Sequence, residues 1–265
     1  MSFRTSRAAR ELAIFAGAYL TYFGVRAITQ GDLARALDNA SGIIDFERWA
    51  GIAVEGQVQD AFLSSSALVD IANAVYMYGH WPVIIASGIV LFRFRPEHYY
   101  RMRNVILLAG AVGLVIFALF PVAPPRLTDL PLVDTVTREA SGYRQLMPPS
   151  LVNEYAAMPS FHAGWNLLIG IVVFQAFRQW WMRGFAVASA GGMLIAVVAT
   201  ANHYLVDVAA GVGIVLLSML VLRTLEHRRE RPTISLHDVR GRPSGGQRRA
   251  ATPGRHGVES ATGRS

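Results

Sequence analysis

The chain has 265 residues, 52% hydrophobic and 16% charged, with a mean hydropathy of +0.33. Soluble domains carry about 25% charged residues, so the deficit argues against an ordinary soluble domain and for a membrane protein. Cysteine is absent, which excludes disulfides, thiolate metal sites and thiol nucleophiles. The net charge is +7, every basic side chain other than histidine is arginine, and the arginines gather at the chain ends and in short loops.

Six segments approach the length and apolarity of a membrane-spanning helix: 11–28, 67–92, 105–120, 161–177, 185–201 and 205–222. The first reads as a retained anchor, because no small-residue cleavage site clearly follows it. Between the first two, Leu33, Leu37, Ala40 and Ile44 recur at helical spacing, with Arg35, Asp38, Asp45 and Arg48 mostly off that stripe. This pattern predicts an amphipathic helix, lying in the membrane interface or packed on the end of the bundle. From Glu226 to Ser265 the chain is rich in Arg, Gly, Ser and Pro and too poor in apolar residues to offset its ordering entropy. It reads as a disordered basic tail flanking the membrane rather than a nucleic-acid-binding segment. The expected architecture is therefore all-α: an integral membrane six-helix bundle over residues 1–225, an interfacial amphipathic helix, and a tail over 226–265.

Arginine placement orients the bundle. Arg4, Arg7 and Arg10 precede the first span, and Arg93, Arg95, Arg101 and Arg103 follow the second. Arg178 and Arg183 follow the fourth, and Arg223, Arg228, Arg229 and Arg231 follow the sixth. These regions alternate with the remaining loops, so both termini are expected in the cytoplasm of a multi-pass cell-membrane protein.

Three stretches then fall together at the extracytoplasmic surface: Pro124-Pro125-Arg126-Leu127, Met158-Pro159-Ser160-Phe161-His162 and Asn202-His203-Tyr204-Leu205-Val206-Asp207. Each suits phosphoryl chemistry. His203 and Asp207 stand four residues apart and share a helix face. A carboxylate that takes the proton of one imidazole nitrogen leaves the other free to attack. His162 can supply a proton to a leaving alkoxide. Pro159 and Ser160 read as a helix start, where unpaired N–H groups favour an anion, and Arg126 offers a planar charged fork for phosphate oxygens. Taken singly, each has a plain structural reading: Arg126 as an interfacial anchor, and His80, beside Trp81 and Pro82 inside the second span, as a packed polar residue.

On these motifs the sequence resembles the type 2 phosphatidic acid phosphatase superfamily. That superfamily has six membrane helices and the motifs Lys-x6-Arg-Pro, Pro-Ser-Gly-His and Ser-Arg-x5-His-x3-Asp. Arg126 matches the first, Pro159, Ser160 and His162 the second, and His203 and Asp207 the third. The resemblance implies that His203 is the nucleophile forming a phosphohistidine, Asp207 its orienting carboxylate and His162 the acid. It also implies that Arg126 and Ser160 bind phosphate, with no metal or other cofactor. The departures are Leu119 at the motif Lys, Leu127 where Pro follows the Arg of the first motif, Phe161 at the motif Gly and Val197 at the motif Arg of the third. Pro-Pro-Arg, Pro-Ser-x-His and His-Tyr-x-x-Asp are closer to the branch of inositol phosphorylceramide synthase and sphingomyelin synthase, which move a phospho-headgroup between lipids. Arg26, Arg138 and Arg144 are candidates to replace the missing cations, and Asn202 and Tyr204 are accessory candidates, Tyr204 with Phe161 for excluding water.

The resulting expectation is a lipid phosphatase or phosphotransferase. Its substrate would be a membrane lipid phosphate, a polyprenyl diphosphate or a phospho-headgroup donor, with water, an alcohol or a lipid as acceptor. A metal-dependent hydrolase using His162, His203 and Asp207 as ligands, and a lipid-binding or transport protein without catalysis, are the competing readings. The sequence sets no oligomeric state.

Overall fold

The computed structural model describes residues 2–28, 32–136 and 153–230. Arg138, Arg144 and the segment from 231 onward lie outside the described residues, as does the side chain of Arg26. The described chain is helical: α1 (Ser2–Ile28), α2 (Leu33–Ala50), α3 (Glu55–Leu63), α4 (Ser66–Tyr78), α5 (Trp81–Phe94), α6 (Pro96–Leu119), α7 (Phe161–Ala176), α8 (Trp180–Ala199) and α9 (Leu205–Glu230). A single 3-10 turn covers Pro125–Leu127. No strand occurs among the described residues, and Val122 and Ala156 form an isolated bridge. Because α9 continues to Glu230, the first five residues that the sequence assigned to the tail are helical.

Local signals set the helix ends. Asp32 caps α2 by accepting the Ala34 N–H at 2.9 Å. Gly51 ends α2 in the left-handed region, at φ 69°, with its N–H returned to the Arg48 carbonyl. Pro82 and Pro96 stand in the first turns of α5 and α6, where a missing N–H costs nothing.

Among the described residues, three helices are long and apolar enough to cross a membrane: α6, α8 and the stretch Leu205–Arg228 of α9. The pair α4 and α5, bent by 52° at Gly79 and His80, makes a fourth as one broken span. The other two expected spans do not meet that test. In α7 the apolar run is only 16 residues long. In α1 the apolar stretch is bounded by charge at Glu11 and Arg26, and Glu11 is turned inward, its carboxylate accepting from Arg103 at 2.6 Å and from the Tyr99 hydroxyl at 3.0 Å.

The basic turns gather at one end. Arg103 at the start of α6 holds Glu11 of α1, Arg95 donates to the carbonyl of Ala176 at the end of α7, and Arg183 donates to that of Phe177. A cavity at that end is lined by His98 and Arg101 of α6 and by Arg223 and Glu226 of α9. The core between the ends is built from Leu91, Met102, Leu168, Ile169, Val173 and Val215 among others, with α7 at its centre. Helix α7 lies along α8, and its Gly170 lets the Ala186 backbone of α8 come close.

At the opposite end, α2 packs on the loops. Its buried residues are Ala36, Ala40, Ile43 and Glu47, which form a core with Val122, Ala123, Ala157 and Tyr204. The buried stripe is thus rotated from the Leu33–Leu37–Ala40–Ile44 stripe expected from the sequence. Small residues face the protein because α2 lies close to the backbone of these loops, while Leu33, Phe46 and Trp49 are exposed. Helix α2 thus packs on the bundle's end.

Candidate active site

The three motif stretches meet at that end and are knitted by main-chain hydrogen bonds. Val122 N–H donates to Tyr155 O at 2.8 Å and Ala157 N–H to Val122 O at 3.2 Å, joining the first stretch to the second. Arg126 N–H donates to Ala201 O at 3.0 Å, joining the first to the third. Ser160 N–H donates to Asp207 O at 3.0 Å, joining the second to the third. Ala201, between α8 and the third stretch, is left-handed at φ 55° and buried. That conformation is costly for a residue with a Cβ and reverses the chain so that His203 faces the second stretch. The N–H groups of Asn202 and His203 both return to the carbonyl of Val197, the residue at the motif Arg position.

His203 is buried, and its Nδ1 lies 2.8 Å from the carbonyl oxygen of Ala157. A carbonyl only accepts, so Nδ1 carries the hydrogen and Nε2 keeps its lone pair. The nearer oxygen of Asp207, Oδ2, is 3.5 Å from Nδ1 and accepts the Tyr204 N–H at 2.9 Å. The orienting partner in closest contact is therefore the Ala157 carbonyl, which the sequence reading missed because a main-chain acceptor leaves no residue-type signal. Burial pushes the imidazole down to about 4, with the Ala157 hydrogen bond opposing and Arg126 adding to the shift. His203 is thus neutral at physiological pH, the form a nucleophile requires.

His162, in the first turn of α7, has its ring centroid 5.9 Å from that of His203. Ser160 is the N-cap of α7; it is buried and its hydroxyl oxygen accepts the Ala163 N–H at 3.4 Å. The Met158–Pro159 peptide before it is cis. Phe161, at the motif Gly, is accommodated because α6 has Gly113 against its ring, and it stacks on Trp165 at 4.8 Å.

Arg126 Nη1 donates to Asn202 Oδ1 at 2.7 Å, and its Nε is 3.5 Å from Asp134 Oδ2. The Asn202 amide is fixed in turn, its nitrogen donating to the carbonyl and hydroxyl oxygens of Thr200. Tyr204 is fully buried, with its hydroxyl donating to the Ala123 carbonyl at 3.1 Å, so it anchors the loop. Arg35 of α2, not singled out from the sequence, donates to the carbonyl of Leu119, the residue at the motif Lys, at 2.7 Å.

Two further carboxyl groups support the third stretch. Consecutive N–H groups at the start of α9 are taken by three side chains: Tyr204 N–H by Asp207, Leu205 N–H by Glu55 at 3.0 Å and Val206 N–H by Glu47 at 2.7 Å. Glu47 and Glu55 are both buried and hydrogen-bonded to each other. Burial raises Glu47 to about 8, so Glu47 holds its proton at neutral pH. Neither residue had a motif to flag it. Among the described residues, no group of three or more His, Asp or Glu side chains has the arrangement to hold a metal ion.

The described residues thus form a helical fold of membrane type with two histidines, a carboxylate and an arginine gathered at one end of the bundle. The family model of the PAP2 superfamily matches residues 41–221, and the chain belongs to that superfamily. Searches of curated proteins and of solved structures yield no match. Membership makes the protein a phosphatase-type enzyme acting on phosphate-containing substrates.

Proposed function

We propose that this protein is a multi-pass cell-membrane enzyme that cleaves or transfers a lipid-linked phosphate through a phosphohistidine on His203. The observation that carries the reading is the Ala157–His203 hydrogen bond, which leaves Nε2 unprotonated in a buried imidazole beside His162 and Arg126. In the first step the Nε2 lone pair attacks phosphorus. The P–N bond forms as the P–O bond to the leaving group breaks, and the proton on His162 passes to the departing oxygen. In the second, water or an acceptor alcohol attacks phosphorus, its proton goes to His162, and the P–N electron pair returns to Nε2. Asp207 stabilises the imidazolium formed between the steps, and Arg126 and Ser160 bind the non-bridging oxygens.

Six crossings follow if α1, the bent α4–α5 pair and α6 to α9 each span the bilayer, with short α7 buried at the centre. Arginine placement then puts the basic end and both termini in the cytoplasm and the site at the outer leaflet. A cleft of about 590 Å³ opens beside the site between α2 and the loops. Asp38, Ser41 and Asp45 offer it polar groups for a headgroup, and Phe46, Phe120 and Met158 offer apolar surface for a chain. These features favour a lipid phosphate, a polyprenyl diphosphate or a phospho-headgroup donor, and the motif departures favour the headgroup-transferring branch. The test is incubation in lipid micelles with EDTA, using phosphatidic acid and, separately, a phosphoinositide with diacylglycerol or ceramide. Free phosphate from the first identifies a phosphatase, and headgroup transfer in the second a synthase. Turnover of neither, or equal turnover by His203→Ala, contradicts the proposal and favours a lipid-binding or transport role.

A further inference from the structure

His80 is buried at the break between α4 and α5, and the steps above make no use of it. Its ring centroid lies 4.1 Å from that of His162, and Trp165 runs parallel to it at 5.9 Å. Tyr76 stacks on His162 at 4.6 Å. Among the described residues, the titratable side chains against His162 are His80 and Tyr76 from the broken span and His203 from the loop before α9.

Asn166, one turn after His162 in α7 and fully buried, joins the His80 imidazole to the His162 main chain. Its amide nitrogen donates to the His162 carbonyl at 2.8 Å and stands 2.9 Å from Nδ1 of His80. The carbonyl can only accept, so the group facing it is the NH2, whose second hydrogen points to His80. Nδ1 of His80 is then an acceptor, and the ring proton sits on Nε2. Asn166 Oδ1 and Trp165 Nε1 are buried without a hydrogen-bond partner, which sets this network apart from a satisfied core.

Two imidazolium rings about 4 Å apart would repel by roughly 4 kcal/mol at an effective dielectric of 20, so the pair carries one proton at most beyond the single N–H of each neutral ring. His80 can accept it at Nδ1 only by giving up the Asn166 hydrogen bond. We propose that His80, locked in its neutral Nε2–H form by Asn166, is a positioning residue that confines the catalytic proton to His162 and holds that ring toward the leaving group. This rests on the phosphoester reading of the site.

The test compares two esters of one phosphoryl group in detergent micelles, with p-nitrophenolate or an alkoxide as leaving group. The first departs without a proton and the second needs one. His80→Phe, which keeps the ring and loses the acceptor, should lower kcat on the alkyl ester by at least about tenfold with KM within about twofold. It should leave the nitrophenyl ester within about threefold of wild type, and His80→Asn, whose Oδ1 restores the acceptor, should recover part of the loss. Equal losses on both esters, or none on the alkyl ester, overturn the proposal. Nitrogen NMR of histidine-labelled protein, with His80 assigned by its loss in His80→Phe, reads the lock without turnover. An Nε2–H tautomer unchanged from mildly acidic to mildly alkaline pH is expected, and an Nδ1–H or cationic His80 refutes the lock. If wild type turns over neither ester, the phosphoester reading fails and the role of His80 falls with it, even where the tautomer is as expected.

Discussion

The carbonyl oxygen of Ala157 lies 2.8 Å from Nδ1 of His203, whereas the nearer oxygen of Asp207 lies 3.5 Å away. A main-chain acceptor cannot be mutated away or ionised, so it fixes the imidazole tautomer independently of Asp207. Replacing Asp207 with Asn should therefore preserve the tautomer and remove only the charge that stabilises the imidazolium. A hydrogen bond to a charged group contributes about 1.5–3 kcal/mol, so kcat should fall roughly ten- to a hundredfold. Steady-state kinetics of Asp207→Asn against His203→Ala measure this, and equal losses would return the orienting role to the carboxylate.

Arg126 is aimed by a relay from Thr200 through Asn202. Arg126→Ala should lower kcat/KM by roughly 10²–10³-fold, as for loss of an oxyanion donor. Asn202→Ala leaves the charge and frees its direction, so a smaller loss of about tenfold is expected. In the double variant the two losses should not add, because Asn202 acts through Arg126.

Glu47 should make stability fall with rising pH. In the unfolded chain it releases its proton near 4.5, whereas in the folded protein it holds the proton to about 8. Its favourable contribution is complete below 4.5 and is lost as pH rises toward 8. Glu47→Gln, which cannot ionise and still offers an acceptor to Val206, should flatten the dependence of Tm on pH across that window. An unchanged slope would mean that Glu47 is charged in the folded protein.

Gly211 of α9 faces the backbone of Ser160, and Gly164 of α7 would place a Cβ 2.6 Å from the Gly211 carbonyl. These two glycines set the α7–α9 approach that brings Ser160 and His162 beside Asp207. Gly211→Ala should lower Tm and activity together, because the obstacle is backbone and cannot move aside. Gly213→Ala has open space at the same helix and should change neither.

The convergence of three short stretches is legible from their spacing: Arg126, Ser160, His162, His203 and Asp207 stand on them, and hydrogen bonds such as Arg126 to Ala201 and Ser160 to Asp207 hold the stretches together at one end of the bundle. What was not legible was supplied by the main chain or by distant helices. The Ala157 carbonyl carries no residue signature, and Glu47, Glu55 and Asn166 act only once separate helices have met. The buried stripe of α2 departs from the expected one because Ala36, small enough for its carbonyl to accept the Ala123 N–H, faces the loops in place of Leu33. The counted spans also differ, since α7 is only 16 residues long and the apolar stretch of α1 is bounded by Glu11 and Arg26, which defeats a length-and-apolarity test.

Covalent phosphorylation of His203 can be read by rapid alkaline quenching of the enzyme during turnover of a lipid phosphate labelled at phosphorus, followed by mapping of the label. An acid-labile, alkali-stable phosphoramidate is expected on the peptide carrying His203, absent from His203→Ala and accumulating when the acceptor is withheld. Turnover by His203→Ala at the wild-type rate, or a label on any other residue, would contradict this role of His203.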